Sequence, residues 1–590
     1  MESEAFAVRD GQRPSRSSGG SAPLRGFAPT PPGARAAAAV FLLFAAVPLA
    51  VSPLFWDQYV TVKWYVLEAL AALWLMVEVW ACGSHGLPRF LVRHRWLALT
   101  LLALEAATVL RQGLGAALSP LVERVAVAAL ALCAYWSLRR PSTLAAARAG
   151  TLLALALVLA CGFQQAAGHD PLAALDASDR RGSLFGNANM GAQYAALAAL
   201  LLLATARARP LWRAAVDVLL AAATVVWLAL LSTRSVFAAL VAGVAAAWLA
   251  RHPTRWRRAA AGGVIAALAL GTAWWIGTRT AAPLLRANKA ASLSFRMALW
   301  ADSARLARDH PLGVGTGGFE DVFRAYQATG ATAPDEDEVF RHPHDEYLRL
   351  AAEEGLPFLL LALAFVALLA RDVVRRAGRH DPHALALLAG WAAFLLVEAL
   401  FQFPFALAFG ALALAVAAGL AFAGAEGAAP RPAAAPMARV GWRLGASAAA
   451  AFVLLGAGAV ALSEYLFVSA PRGEAAQERA CVLDARNLPA CVMAAWLRGT
   501  RGDLDGARAR LLRVLDRAPH YPPAMKLLAQ QTAVAGDHEA ACLALWTYDQ
   551  LFRGQSSLHG DLLATCSDAD RARAAARVPT PHYGRYPLAR

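Results

Sequence analysis

The sequence predicts an all-α protein: a polytopic membrane helix bundle of about 12–13 spans, broken by one large polar loop and followed by a C-terminal α-helical repeat domain. Three observations predict this. Apolar runs of about 20 residues, the length that crosses a hydrocarbon core, recur from Ala36 to Val468. Arginines collect in alternate short loops between those runs. Beyond the last run, a helical pattern repeats at an offset of 34 residues. Composition agrees, with 58% hydrophobic and only 16% charged residues, against about 25% charged in average soluble domains.

Residues 1–34 mix Arg, Ser, Gly and Pro, cannot bury a core, and are expected to form a disordered cytoplasmic tail. The tail is too long and polar for a signal-peptide n-region, so the first apolar run reads as a retained span. Further runs fall near 60–80, 96–111, 120–138, 146–165, 190–205, 211–231, 236–250, 259–277, 356–370, 384–401 and 405–424. Residues 35–424 are thus the membrane core, with a polar loop over about 279–350. A Pro/Ala-rich stretch at 425–443 reads as a cytoplasmic linker before the last span at 444–468.

Orientation follows from the arginines, because short cytoplasmic loops carry an excess of Lys and Arg. Basic clusters occupy the tail (Arg9 to Arg35) and every even loop, among them Arg89–Arg95, Arg139–Arg148, Arg207–Arg213, Arg251–Arg258, Arg371–Arg379 and Arg431–Arg443. The N-terminus is then inside, and the 279–350 loop and everything after the last span are expected on the non-cytoplasmic side of the membrane. The net charge of +15 is therefore topological, and no nucleic-acid partner is expected.

Residues 469–570 repeat: Gly502-Asp503, Ala507 and Leu511 recur as Gly536-Asp537, Ala541 and Leu545. Helix–turn–helix units of about 34 residues have the tetratricopeptide period. The segment resembles such modules, which implies a peptide or protein partner in the envelope; a plain helical hairpin domain is the alternative. Residues 571–590 form a tail. Separated from the core by a linker and one span, this domain is expected to make few contacts with it. Cys82, Cys133 and Cys161 read as packing residues. Cys481, Cys491, Cys542 and Cys566 allow 481–491 and 542–566 bridges or four buried thiols, and no spacing looks like a zinc knuckle.

The polar loop carries the chemistry. It reads Ser294-Phe295-Arg296 with Trp300 one turn on, then His310-Pro311-Leu312-Gly313-Val314-Gly315, His342-Pro343-His344-Asp345 and Glu354-Gly355. So many ionisable groups beside membrane helices point to a functional site. This order of motifs resembles the signature loop of the O-antigen ligase and polymerase superfamily. The resemblance implies a metal-independent glycosyltransferase acting on an undecaprenyl-pyrophosphate-linked glycan. Its acceptor would be lipid A-core or another surface glycan for a ligase or polymerase, and protein for a third branch.

Residue roles follow from that chemistry. Arg grips a pyrophosphate through two parallel charged hydrogen bonds, and the candidates are Arg234, in Thr233-Arg234-Ser235 at an outer turn, and Arg296. Lys63, near the outer end of the second span, is a further donor-phosphate candidate or a snorkelling lysine. His344 is the candidate base that activates the acceptor hydroxyl. His342 and Asp345 beside it are candidates for positioning the acceptor, and the Asp345 carboxylate is expected to raise the His344 pKa. Arg181, Asn187 and Asn189, in a Gly-x-Phe-x-Asn-x-Asn turn, would position sugar hydroxyls or cap the next helix. No cofactor and no metal are expected, since arginine charge can take a metal's place at the leaving group. The alternative, a metal on His342, His344 and Asp335–Glu338, lacks ligand spacing in its consecutive acidic run. A transporter would require inverted repeats or broken helices with charges at mid-membrane; only Glu105 and Glu398, read as isolated, lie there. A scaffold acting through its repeats is the remaining reading.

Overall fold

Long stretches of Ala, Leu and Val without internal turn residues leave the backbone in lipid one economical option, a helix that satisfies every N–H and C=O internally. The computed structural model of the protein describes residues 32–138, 140–175, 181–205, 211–251, 283–327, 340–377, 381–426, 436–552 and 556–577. Helix is the regular secondary structure of those residues, with no strand among them.

In chain order the helices are α1 (Pro32–Leu49), α2 (Val60–Met76, continued by a π-turn to Ala81), α3 (Arg89–Arg93), α4 (Arg95–Gln112), α5 (Leu114–Ser137), α6 (Pro141–Ala166), α7 (Ala188–Thr205), α8 (Leu211–Leu231) and α9 (Arg234–Arg251). The loop region holds α10 (Pro283–Asp309), α11 (Phe319–Phe323) and α12 (Glu346–Glu353). Then come α13 (Leu356–Arg375), α14 (Pro382–Glu398), α15 (Ala408–Glu426) and α16 (Pro436–Ser469). The chain finishes with α17 (Glu474–Leu483), α18 (Leu488–Thr500), α19 (Leu504–Arg517), α20 (Pro522–Val534), α21 (His538–Leu551), α22 (His559–Thr565) and α23 (Asp568–Arg577).

Among the described residues nine helices are long and apolar enough to cross a membrane, and α1 and α14 are shorter apolar helices. Two of the expected spans fall outside this set. Helix α4 carries Arg95, Glu105 and Arg111, and the run at 259–277 lies outside the described residues. The chain is a multi-span helical membrane protein. Helices α7 and α15 are almost wholly buried and form the axis of the bundle, with Trp74, Trp227, Trp391, Tyr135 and Phe394 filling its interior.

The two ends of the bundle are chemically distinct. At one end the basic loops meet one another: Arg93 pairs with Asp372 at 3.0 Å, Arg140 with Glu78 at 3.3 Å, and Arg251 contacts His383 at 2.9 Å. Arg148 departs from the expected loop position. It is buried inside α6, paired with Asp217 of α8, where an unpaired charge would be costly. The opposite end gathers Lys63, Arg111, Arg124, Ser235 and Arg296, each bonded to a residue from another turn of that end.

Helix α16 begins at Pro436, inside the stretch expected to be linker, and its 34 residues span roughly 50 Å. That exceeds a hydrocarbon core of about 30 Å, so α16 also carries the chain up to the C-terminal helices. Helices α17 to α21 pack as successive neighbours around their own core of Leu511, Leu515, Leu528, Leu545 and Tyr548. The repeated Gly-Asp pair has one job in both places. Gly502 and Gly536 adopt φ +90° and +76°, the left-handed stop of a helix, and Asp503 and Asp537 then cap α19 and α21. Cys481 is bonded to Cys491 and Cys542 to Cys566, so the four cysteines form the two bridges rather than free thiols.

The expectation of a loosely attached C-terminal domain is overturned. Ser463 of α16 donates to the Ala480 carbonyl at 2.7 Å and accepts from Asn487 at 3.0 Å, while Gln477 donates to the Ala470 carbonyl at 2.9 Å. Arg486 reaches across to the carbonyls of Thr316 (3.2 Å) and Gly317 in the polar loop. The Arg324 guanidinium lies 5.2 Å from the Phe552 ring. The reason is geometric: α16 returns the chain to the loop end of the bundle, so its continuation lands on that loop.

Candidate active site

The polar loop is anchored before it is functional. The His-Pro-Leu-Gly-Val-Gly strap is stitched to the Glu-Gly motif: Val314 N–H donates to Ala352 O (2.8 Å), Gly315 N–H to Glu353 O (2.9 Å) and Leu356 N–H to Pro311 O (3.0 Å). Arg111 at the end of α4 donates to the Leu312 carbonyl at 2.6 Å. Glu354 is buried, accepts from Thr316 Oγ1 at 2.9 Å and pairs with Arg124, which also pairs with Glu105. Glu105 is therefore not the isolated carboxylate expected from sequence. Both motifs fix the loop to the bundle.

On this anchored loop sits α12, with Asp345 as its N-cap: the carboxylate accepts from Leu348 N–H at 2.9 Å. The first N–H of the helix, that of Glu346, donates to the Ala399 carbonyl at 2.7 Å, docking α12 on the end of α14. The expectation that Asp345 would raise the His344 pKa is corrected. Its oxygen is occupied in capping, and the groups acting on His344 are Gln402 and Arg296.

His344 takes φ +54°, uncommon for a side-chain-bearing residue and frequent where geometry is imposed for function. Its Nδ1 lies 3.2 Å from Gln402 Oε1, and its ring lies 5.3 Å from that of Phe403. Burial lowers its pKa, the Gln402 bond partly opposes this, and the Arg296 charge lowers it further. With Nδ1–H donating to Gln402, the neutral ring presents Nε2 as a proton acceptor. The His342 ring lies 4.4 Å from Phe403. Burial holds its pKa well below the ordinary histidine value, and Nδ1 meets no partner among the described residues.

Arg296 of α10 donates to the Phe401 carbonyl at 3.3 Å; burial lowers its pKa, and the Glu398 carboxylate works the other way. Trp300, one turn on, faces Phe401 at 6.4 Å, so it buttresses the 401–403 turn rather than the guanidinium. Glu398, also not isolated, accepts from Ser235 Oγ at 3.3 Å. Ser235 follows Arg234, the first residue of α9, which leaves a tight turn where Ser232 has φ +57°. Arg234 Nη2, Thr233 Oγ1, Glu398 Oε2 and Gln402 Nε2 meet no protein hydrogen-bond partner among the described residues. The structure thus links Arg296, His342 and His344 through one turn, Glu398 to Phe403, and ties Ser235, the residue after Arg234, to the start of that turn.

The other candidates stand apart. Lys63 donates to the carbonyls of Ala50 (2.5 Å) and Leu184 (2.8 Å) and lies 4.7 Å from the Phe185 ring, so two of its three protons tie loops together. Asn187 caps α7, accepting from Asn189 N–H at 2.9 Å, as its capping reading expects. Asn189 sits half-buried in the first turn of α7, and Arg181 is exposed. The acidic run Asp335–Glu338 lies outside the described residues. Sequence reading missed Gln402, Phe403 and Ser235. Their signal was faint: a glutamine inside an apolar run, and a serine read only as the neighbour of Arg234.

A site of this kind has an imidazole acceptor, two guanidinium groups with free donor capacity, and a carboxylate and an amide still able to bond. It suits an anionic leaving group on one side and a hydroxyl nucleophile on the other. Comparison with known families agrees. Residues 218–363 match the family described as O-Antigen ligase, a segment that includes Arg234, Arg296, His342, His344 and Glu354. No curated protein matches the chain. Over that segment the chain is similar to the O-antigen ligases, which supports a membrane glycosyltransferase of the ligase and polymerase type.

Proposed function

We propose that the protein transfers a glycan from undecaprenyl pyrophosphate to a hydroxyl on lipid A-core or a related surface acceptor, at the periplasmic face of the inner membrane. The observation that carries this is the juncture of His344, Arg296 and the Arg234 turn around Gln402 and Glu398. Arg234 and Arg296 bind the pyrophosphate and stabilise the charge it gains as the sugar–phosphate bond breaks. His344 Nε2 takes the proton from the acceptor hydroxyl as it attacks the anomeric carbon. Gln402 holds the tautomer, and His342 lines the acceptor side. No metal or cofactor enters this scheme. The C-terminal helices, whose Gly-Asp repeat has the tetratricopeptide spacing, offer a surface for an envelope protein and brace the loop through Arg486.

A polymerase or a protein-glycosylating enzyme would use the same site chemistry. The test is to label lipid-linked glycan in a deletion strain. Long chains accumulating on carrier lipid support the ligase reading; single repeat units would indicate a polymerase. No change in any glycan would overturn the enzymatic proposal.

A further inference from the structure

The last helices hold a cluster of groups that the transfer chemistry does not use. His538 and Cys542 lie four residues apart on α21, hence on one face, and Asp570 approaches from α23. His538 Nε2 is 3.3 Å from Asp570 Oδ2 and 3.8 Å from Cys542 Sγ, and the three ligand atoms lie within 4.8 Å of one another. Cys566 is bonded to Cys542, so a second sulfur lies directly beside the first. Tetrahedral zinc, with bonds of about 2.3 Å to sulfur and about 2.0–2.2 Å to nitrogen and oxygen, sets its ligand atoms roughly 3.3–3.8 Å apart. The two separations from His538 Nε2 fall in that range. The same Asp570 oxygen accepts from Ser567 Oγ at 2.6 Å and Ser567 N–H at 2.9 Å, which holds the carboxylate in place, while its other oxygen, Oδ1, pairs with Arg573.

While the bridge is intact its sulfurs are not thiolates, and only His538 and Asp570 remain as ligands, too few to hold zinc firmly. We propose that reduction of the Cys542–Cys566 bridge converts this corner into a zinc site held by both cysteine sulfurs, the His538 imidazole and the Asp570 carboxylate, so that the end of the chain has a bridged form and a zinc-bound form. The chemistry balances. A dithiol gives two electrons and two protons to the bridge and becomes a disulfide itself; zinc then displaces both protons from the cysteine sulfurs. Each form joins α21 to the segment that follows it, and the zinc form also binds α23 through Asp570. The second bridge serves as an internal control, because the Cys481 sulfur faces the Arg510 guanidinium at 3.3 Å, which repels a cation.

The test uses the full chain in detergent, with cobalt(II) as the spectroscopic stand-in for zinc and a phosphine as a reductant that performs the same two-electron step. The reduced protein should show thiolate-to-cobalt charge-transfer absorption that saturates at one equivalent, and the oxidised protein should show none. A Cys481→Ser, Cys491→Ser double variant should keep the band. His538→Ala, at an exposed position outside the domain core, should weaken cobalt binding at least about tenfold. Three results would each overturn the site: no band in the reduced wild type, a band indifferent to His538→Ala, or a band lost with Cys481 and Cys491.

Discussion

His344 combines three properties whose joint occurrence is informative: a left-handed backbone, an amide partner on Nδ1 and a lowered pKa. Burial is the leading cause of the shift, and the Arg296 charge adds to it, so the ring stays neutral to lower pH than a free histidine. A base must be neutral to act. The acid limb of the transfer rate should therefore fall below the ordinary histidine pKa of about 6.5. Arg296→Gln removes a nearby positive charge and should move that limb upward while weakening donor binding. An unchanged limb in that variant would mean that another group titrates. Arg296→Lys should rescue binding only in part, because an ammonium lacks the two-pronged geometry.

At the scale of elements, α12 starts from a cap that either Asp or Asn could supply. Both cap a helix, and Asp345 does so here. Asp345→Ala should lower stability by about 0.5–2 kcal/mol and disorder the His344 turn, whereas Asp345→Asn should leave both nearly unchanged. Thermal unfolding in detergent distinguishes the cap from a direct chemical role, which Asn would fail to fill. The same element explains the limits of sequence reading. The Gly502-Asp503 and Gly536-Asp537 repeat was legible because it is a local pattern, and His344 and Arg296 were singled out by local patterns of their own. Gln402, Ser235 and Arg124 were not, because their partners come from elements more than 50 residues away and neither side carries a local signature. The partners of Lys63 were hidden for the same reason, since the two carbonyls it bonds lie in separate loops.

For the whole molecule, the arginine alternation and the apolar runs were enough to predict the bundle, but not how its two ends close. The C-terminal helices prove to be a brace. Arg486 holds Thr316 and Gly317, Thr316 bonds Glu354, and Glu354 precedes the helix that follows the loop. Cutting the chain after Val468 should destabilise the loop and abolish transfer, contrary to the modular picture that sequence alone suggests. Arg486→Ala should reproduce part of that loss with the domain still attached. If the truncated protein transferred glycan at the full rate, the contacts across this junction would have no functional weight.

The central claim is that His344 is the base for attack on a lipid-linked glycan held by Arg234 and Arg296. The most direct measurement compares His344→Ala with wild type in purified form, following both donor binding and glycan transfer. Transfer should fall by about 10²–10⁴ while donor binding persists, since the base acts on the acceptor. Full transfer by the His344→Ala protein, or loss of donor binding in step with transfer, would contradict it.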